Sequence, residues 1–249
     1  MAVAERWKAV AGDALSVLVH VGHDCVSDAR ELAAHAESAV GARAIAAVAP
    51  TYFPPSRIGD LIAYCAQIAE AAPHTSFYYY HFPMRTGLTF KAIDILKAAA
   101  AGIPTFAGIK FTHEDLMDFR QCLEYDGGQF NMLFGRDEIL LSALALGARG
   151  AIGSTYNIAA PLYLRIIEAF EAGDMPMAQR EQSRAMELVA LARQFGAPIA
   201  FKAAMKAIGL DCGPSRLPQS QLSEEEYESL RSELTRIGFF DYCMRVGKS

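Results

Sequence analysis

What the chain lacks narrows it first. It has no run of lysine or arginine longer than a pair, and its net charge is −5, so nucleic acid finds no electrostatic footprint. No apolar stretch approaches the roughly 18–20 residues that span a bilayer. The opening residues, MAVAERWKAVAGDALS, mix charged and apolar groups and lack the unbroken apolar centre of a secretory signal. The five cysteines (Cys25, Cys65, Cys122, Cys212, Cys243) include no CxxC pair; odd in number and scattered, they point to reduced thiols and not to a disulfide framework or a zinc site. His20 and His23 have no acidic or cysteine partner at ligand spacing and read as strand-end histidines near a pocket mouth. No GxGxxG follows an early strand, so nothing marks a dinucleotide site. These absences lead to the expectation of a cytoplasmic globular protein with no metal or organic cofactor, no nucleic-acid partner and no membrane contact.

What is present is a strict alternation. Apolar residues make up 52% and charged residues 20% of the 249, normal for a globular enzyme. Six short β-branched or aromatic runs bounded by Gly, Pro, Asp or Ser read as strands: residues 16–22 (SVLVHVG), 44–50 (AIAAVAP), 76–82 (SFYYYHF), 106–112 (FAGIKFT), 130–135 (FNMLFG) and 150–156 (GAIGSTY). Between them, residues 28–40, 57–72, 89–101, 114–125 and 137–146 carry apolar groups at helical spacing, with Gly102 and Gly147 where C-caps belong. Such alternation implies parallel strands joined by helical crossovers, as in a (β/α) barrel or a doubly wound sheet. After Tyr156 only helices follow, at 160–172, 176–195, 199–208 and 224–238, with a loop at 213–218. The expected organisation is a barrel portion over 1–173 and a C-terminal helical extension over 174–249. A full eight-unit ring needs about 250 residues before any extension, so six strands make an incomplete barrel that opens on a helix at residues 2–11.

Several residues carry possible chemistry. Lys110 lies near the C-terminal end of an apolar strand and, by the two-residue period, shares a face with Gly108 and Phe106. Desolvation there favours a neutral amine able to attack a carbonyl; a lysine snorkelling to solvent would satisfy the same pattern. Tyr80, on one face with Tyr78 in FYYYHFP, is placed to shuttle a proton beside an imine, or simply to pack. Gly135-Arg136-Asp137-Glu138 opens a helix, where the acidic pair complements the dipole or accepts hydrogen bonds from a polyhydroxylated ligand. Gly153-Ser154-Thr155-Tyr156-Asn157 offers small polar groups and backbone amides at the last strand's end.

Taken together, YYYHFPMRTG (78–87), GIKFTHEDLMDF (108–119), FGRDEILLSALALGARGAIGSTYN (134–157) and GPSRLP (213–218) resemble the N-acetylneuraminate (sialic acid) lyases of the dihydrodipicolinate synthase superfamily. The resemblance covers essentially the whole chain. It implies a TIM (β/α)₈ barrel of the α/β class with a C-terminal helical extension, assembled as a homotetramer. It also implies a class I aldolase that cleaves N-acetylneuraminate reversibly to N-acetylmannosamine and pyruvate without a cofactor. Lys110 matches the Schiff-base lysine and Tyr80 the proton-relaying tyrosine, while Thr112, Gly135, Asp137, Glu138 and Ser154 match positions lining the sugar-acid site. Tyr52, in APTYFPP, resembles a tyrosine of the proton relay.

Two departures qualify the resemblance. Arg85 in PMRTG is a feature of dihydrodipicolinate synthases, where an arginine serves a carboxylate-bearing substrate; a synthase, or an aldolase for another 2-keto-3-deoxy sugar acid, is the alternative. The family's G-[ST]-T-G-E loop, which holds pyruvate's carboxylate, has no match here, and two strands precede it in the family. The barrel is therefore expected to be N-terminally truncated to about six strands. A start upstream of Met1 is the preferred explanation, against an impaired remnant or a partner chain that fills the gap.

Overall fold

The computed structural model describes residues 1–245. Its sheet has six strands, β1 (Leu18–His20), β2 (Ala44–Val48), β3 (Ser76–His81), β4 (Phe106–Phe111), β5 (Asn131–Phe134) and β6 (Gly150–Ala151), in the unbroken order β1 to β6. Pairings from β1 through β5 are parallel. A doubly wound sheet reverses its strand order at a switch point, whereas a barrel adds each strand beside the last. The sequential order therefore selects the barrel-type winding that the alternation alone left open.

The chain divides into two compact units, Met1–Gly135 with Gly147–Gly150, and Arg136–Leu146 with Ala151–Ser249. In the first, helices α1 (Ala2–Ala11), α2 (Val26–His35), α3 (Ile58–Glu70), α4 (Pro83–Thr86), α5 (Ala92–Gly102) and α6 (Leu116–Glu124) fall between successive strands or before them. The fully buried residues Ile45, Leu61, Ile68, Phe77, Ile95 and Leu96 form its core, with Phe111, Phe119 and Phe134 in mutual ring contact at 5.1–6.4 Å. Asp118, itself 2% exposed, accepts from the amides of Ala92 (2.7 Å) and Ile93 (3.0 Å) and so caps α5 from another helix. Leaving those first-turn amides without an acceptor would cost about 1–3 kcal/mol.

The second unit is helical: α7 (Leu140–Ala145), α8 (Tyr156–Glu171), α9 (Met175–Gln194), α10 (Ala197–Ala207) and α11 (Glu224–Arg236). Leu140, Leu162, Ile166, Leu188, Leu230, Leu234 and Phe239 belong to one buried cluster. Ser223 and Glu226 close a full capping box on α11.

Element boundaries differ from the sequence pattern where side chains intervene. Residues 150–156 were expected to be strand, but only two are, because the Asp137 carboxylate takes the Thr155 amide and hydroxyl and turns the chain into α8. Pro83 starts an extra turn, α4, its missing N–H being no loss at a helix start. Gly102 is the last helical residue of α5 and not its cap.

One irregularity matters most. Phe77 pairs with Phe106, but Tyr78 pairs with Gly108, so Ala107 is an extra residue in β4. Side-chain parity flips there. Beyond the bulge Gly108 and Lys110 register with Tyr78 and Tyr80, while Ile109 and Phe111 follow the buried Tyr79 and His81. Lys110 therefore shares a face with Gly108, as expected, but not with Phe106, which registers with buried Phe77. A Cβ on Gly108 would overlap the backbone carbonyl of Asn131 on β5. We expect Gly108→Ala to lower stability by about 2–4 kcal/mol, read as a shift in the urea midpoint; a stability equal to the wild type's would show that the bulge relaxes without cost.

Candidate active site

The parallel register aligns Val48, Tyr80, Lys110 and Leu133 across four strands. Lys110 Nζ stands over the Tyr80 ring, 4.0 Å from its centroid. That placement favours positive charge on the nitrogen, because the ring face is the negative end of its quadrupole. His20 meets the same ring edge-on at 6.0 Å. Its Nε2 accepts from the Val48 amide at 3.3 Å, which leaves the proton of the neutral ring on Nδ1. Desolvation, then the nearby charge of Lys110, lowers the His20 pKa. Gly22 permits this folded-back ring, since a Cβ there would meet the Val48 nitrogen at 2.9 Å and the imidazole at 3.0 Å.

Beyond the strand ends the ladder continues through Thr112 N–H to His81 O and Gly135 N–H to Phe111 O, both 2.8 Å. A Cβ on Gly135 would fall on the Thr112 hydroxyl. That hydroxyl is buried and has no hydrogen-bond partner among the described residues. Tyr52 is 77% exposed, packs edge-on against Phe53, and gives its amide to Asp24. Its ring and hydrogen-bond contacts include neither Tyr80 nor Lys110.

Asp137, Glu138 and Ser154 lie in the second unit. Asp137 is 6% exposed; its Oδ2 accepts from the Thr155 amide (2.9 Å) and hydroxyl (2.5 Å), and Tyr163 Oη donates in turn to Thr155 Oγ1 (2.5 Å). Burial first, and the Asp137 charge second, push the Tyr163 phenol up. A Cβ on Gly153 would overlap the Asp137 carboxylate. The turn thus presents exposed Ser154, whose carbonyl accepts from Asn157 Nδ2 at 3.0 Å. Glu138 Oε1 meets two guanidiniums, Arg193 of α9 and, at 3.4 Å, Arg136.

The model of the dihydrodipicolinate synthetase family matches residues 1–237. The chain belongs to that family. Among its relatives is N-acetylneuraminate lyase A of Xenopus laevis, 39% identical over 240 residues that span 94% of this chain and 78% of the relative. The structure of N-acetylneuraminate lyase (sialic acid aldolase) from Aliivibrio salmonicida superposes with a TM-score of 0.92 at 38% identity, covering 96% of this chain and 79% of that one. A sialic acid aldolase from Ruminococcus gnavus, described as a catalytic lysine mutant, gives 0.87 at 28% identity over 96% and 79%. The two structures share the fold found here.

Within this family member, three site features escaped the sequence reading. His20 was noted only as a strand-end histidine, although H-x-G at a strand end already hinted at a ring folding back. Thr155 and Tyr163, which hold Asp137, gave no signal of a buried chain. Arg193 lies 55 residues from Glu138, beyond any local pattern.

His81 follows Tyr80 but faces the opposite, buried side, at 1% exposure among Tyr79, Phe111 and His113. Desolvation, then His113, brings its pKa down to about 3 from 6.5. The folded state therefore holds it neutral. Its stability is full above pH 6.5 and falls as the unfolded chain takes up the proton between pH 6.5 and 3. Replacing His81 with Phe removes this linkage. From pH 7.5 to 5.0 the wild type should lose roughly 2 kcal/mol more than His81→Phe, by urea unfolding; parallel losses would place the titration elsewhere.

Proposed function

We propose that this chain is a Schiff-base carbon–carbon lyase that cleaves N-acetylneuraminate reversibly to N-acetylmannosamine and pyruvate. The single observation that carries the chemistry is Lys110 Nζ over the Tyr80 ring, at the C-terminal ends of neighbouring parallel strands. The substrate identity is supported by the lyase relatives.

In this reading the neutral Lys110 amine adds to the substrate's ketone, and loss of water leaves an imine. Once protonated, that imine is the electron sink for bond cleavage, and the ring face beneath it favours the positive charge. Tyr80 takes the proton of a substrate hydroxyl as the carbon–carbon bond breaks. N-acetylmannosamine leaves, the pyruvate enamine is protonated, and water releases pyruvate from Lys110. Thr112, beside Gly135, offers a hydroxyl to the sugar acid. Glu138 accepts from sugar hydroxyls, with Asp137 and Ser154 lining the same subsite. Tyr52 joins the proton relay from its exposed loop. The residues 1–173 serve as barrel portion and 174–249 as extension, in a cytoplasmic homotetramer.

Lys110→Ala should abolish pyruvate release from N-acetylneuraminate, by at least about a thousandfold, in a coupled assay on a sample whose melting temperature matches the wild type. Residual turnover near the wild-type level would exclude the imine route. Wild-type inactivity on this substrate, with activity on a different 2-keto-3-deoxy sugar acid, would keep the mechanism and replace the substrate.

A further inference from the structure

The acidic turn at Asp137–Glu138 is tied to α9 by contacts that no local sequence pattern announces. Gln182, 4% exposed, donates from Nε2 to the Asp137 carbonyl (3.2 Å) and accepts at Oε1 from the Leu141 amide (2.8 Å). One helical face further along, Arg193 Nη2 bonds Glu138 Oε1. Arg136 Nη2 approaches the same oxygen at 3.4 Å. Among the described residues no hydrogen bond reaches Glu138 Oε2. Its side chain is 18% exposed, against 55% for Arg193 and 11% for Arg136.

Two guanidiniums on one oxygen fix the carboxylate's rotamer while leaving the second oxygen as an acceptor. A free glutamate at this place would sample several rotamers, and ordering it on each binding event would weaken a contact with a sugar hydroxyl. We infer that Arg193 is a positioning residue for sugar recognition: from α9 it holds Glu138 so that Oε2 receives a hydroxyl of the N-acetylmannosamine portion. This rests on the reading that Glu138 touches the sugar. Acting through Glu138, Arg193 affects the sugar and not pyruvate. Because its guanidinium is half exposed, its removal is tolerated by the fold.

The test is steady-state kinetics in the condensation direction with Arg193→Met, Arg193→Lys, Glu138→Gln and the double variant Glu138→Gln/Arg193→Met. Arg193→Met should raise KM for N-acetylmannosamine roughly three- to tenfold, with KM for pyruvate unchanged and the melting temperature within about 2 °C. Arg193→Lys should recover part of the loss, since it keeps the charge but not the fork. The double variant should be no worse than Glu138→Gln, because both act through one contact. If Glu138→Gln raises the sugar KM and Arg193→Met does not, the positioning role is overturned while the Glu138 reading stands. If Glu138→Gln leaves the sugar KM unchanged, that reading fails and the inference with it. Equal rises for sugar and pyruvate in Arg193→Met would mean general damage and also overturn the inference.

Discussion

The juxtaposition of Lys110 and Tyr80 depends on one extra residue in a parallel strand. Without the bulge at Ala107, Phe106 opposite Phe77 would count forward to Lys110 opposite His81, on the buried side. An ammonium there would sit opposite His81, an imidazole that burial already keeps neutral, at a desolvation cost it could not recover. With the bulge, the count shifts by one and Lys110 comes to rest over Tyr80. Gly108 follows the bulge at once and lets β4 approach the Asn131 carbonyl of β5. The arrangement of the strand ends is thus set by a backbone irregularity three residues earlier.

Around that pair, glycines and short polar residues admit close approaches that larger side chains would prevent. Gly22 lets His20 fold onto the Val48 amide, Gly135 leaves space for the Thr112 hydroxyl, and Gly153 leaves space for the Asp137 carboxylate. In each case the glycine's role is steric, making room for a polar neighbour. In the second unit the ties are polar and long-range: Asp137 to Thr155 and Tyr163, Gln182 to the Asp137 carbonyl, Arg193 to Glu138. The helical unit therefore does more than fill space, since it determines how an acidic turn is presented.

The sequence made part of this legible. All six strands and their order of appearance followed from apolar runs bounded by turn residues, and Lys110 and Tyr80 stood out because each sits near a strand's C-terminal end. Their facing was inferred from an uninterrupted two-residue period, and that reasoning tied Lys110 to Phe106; a bulge inside a strand has no compositional mark beyond the glycine that follows it. The short β6 was hidden for a related reason: residues 152–156 look like strand locally, but a carboxylate some 18 positions earlier takes their amide and hydroxyl. Asp118 lies in the first turn of its own helix, and only packing reveals it as the cap of α5. Choosing between barrel and doubly wound sheet required the strand order itself, which alternation of strand and helix does not encode.

The central claim, that Lys110 forms an imine with pyruvate, is tested most directly by incubating the protein with pyruvate and borohydride and mapping the product by mass. The account predicts one reduced pyruvate adduct, carried by the peptide containing Lys110 and absent from Lys110→Ala. A folded protein that gains no adduct, or carries it on another lysine, would contradict it.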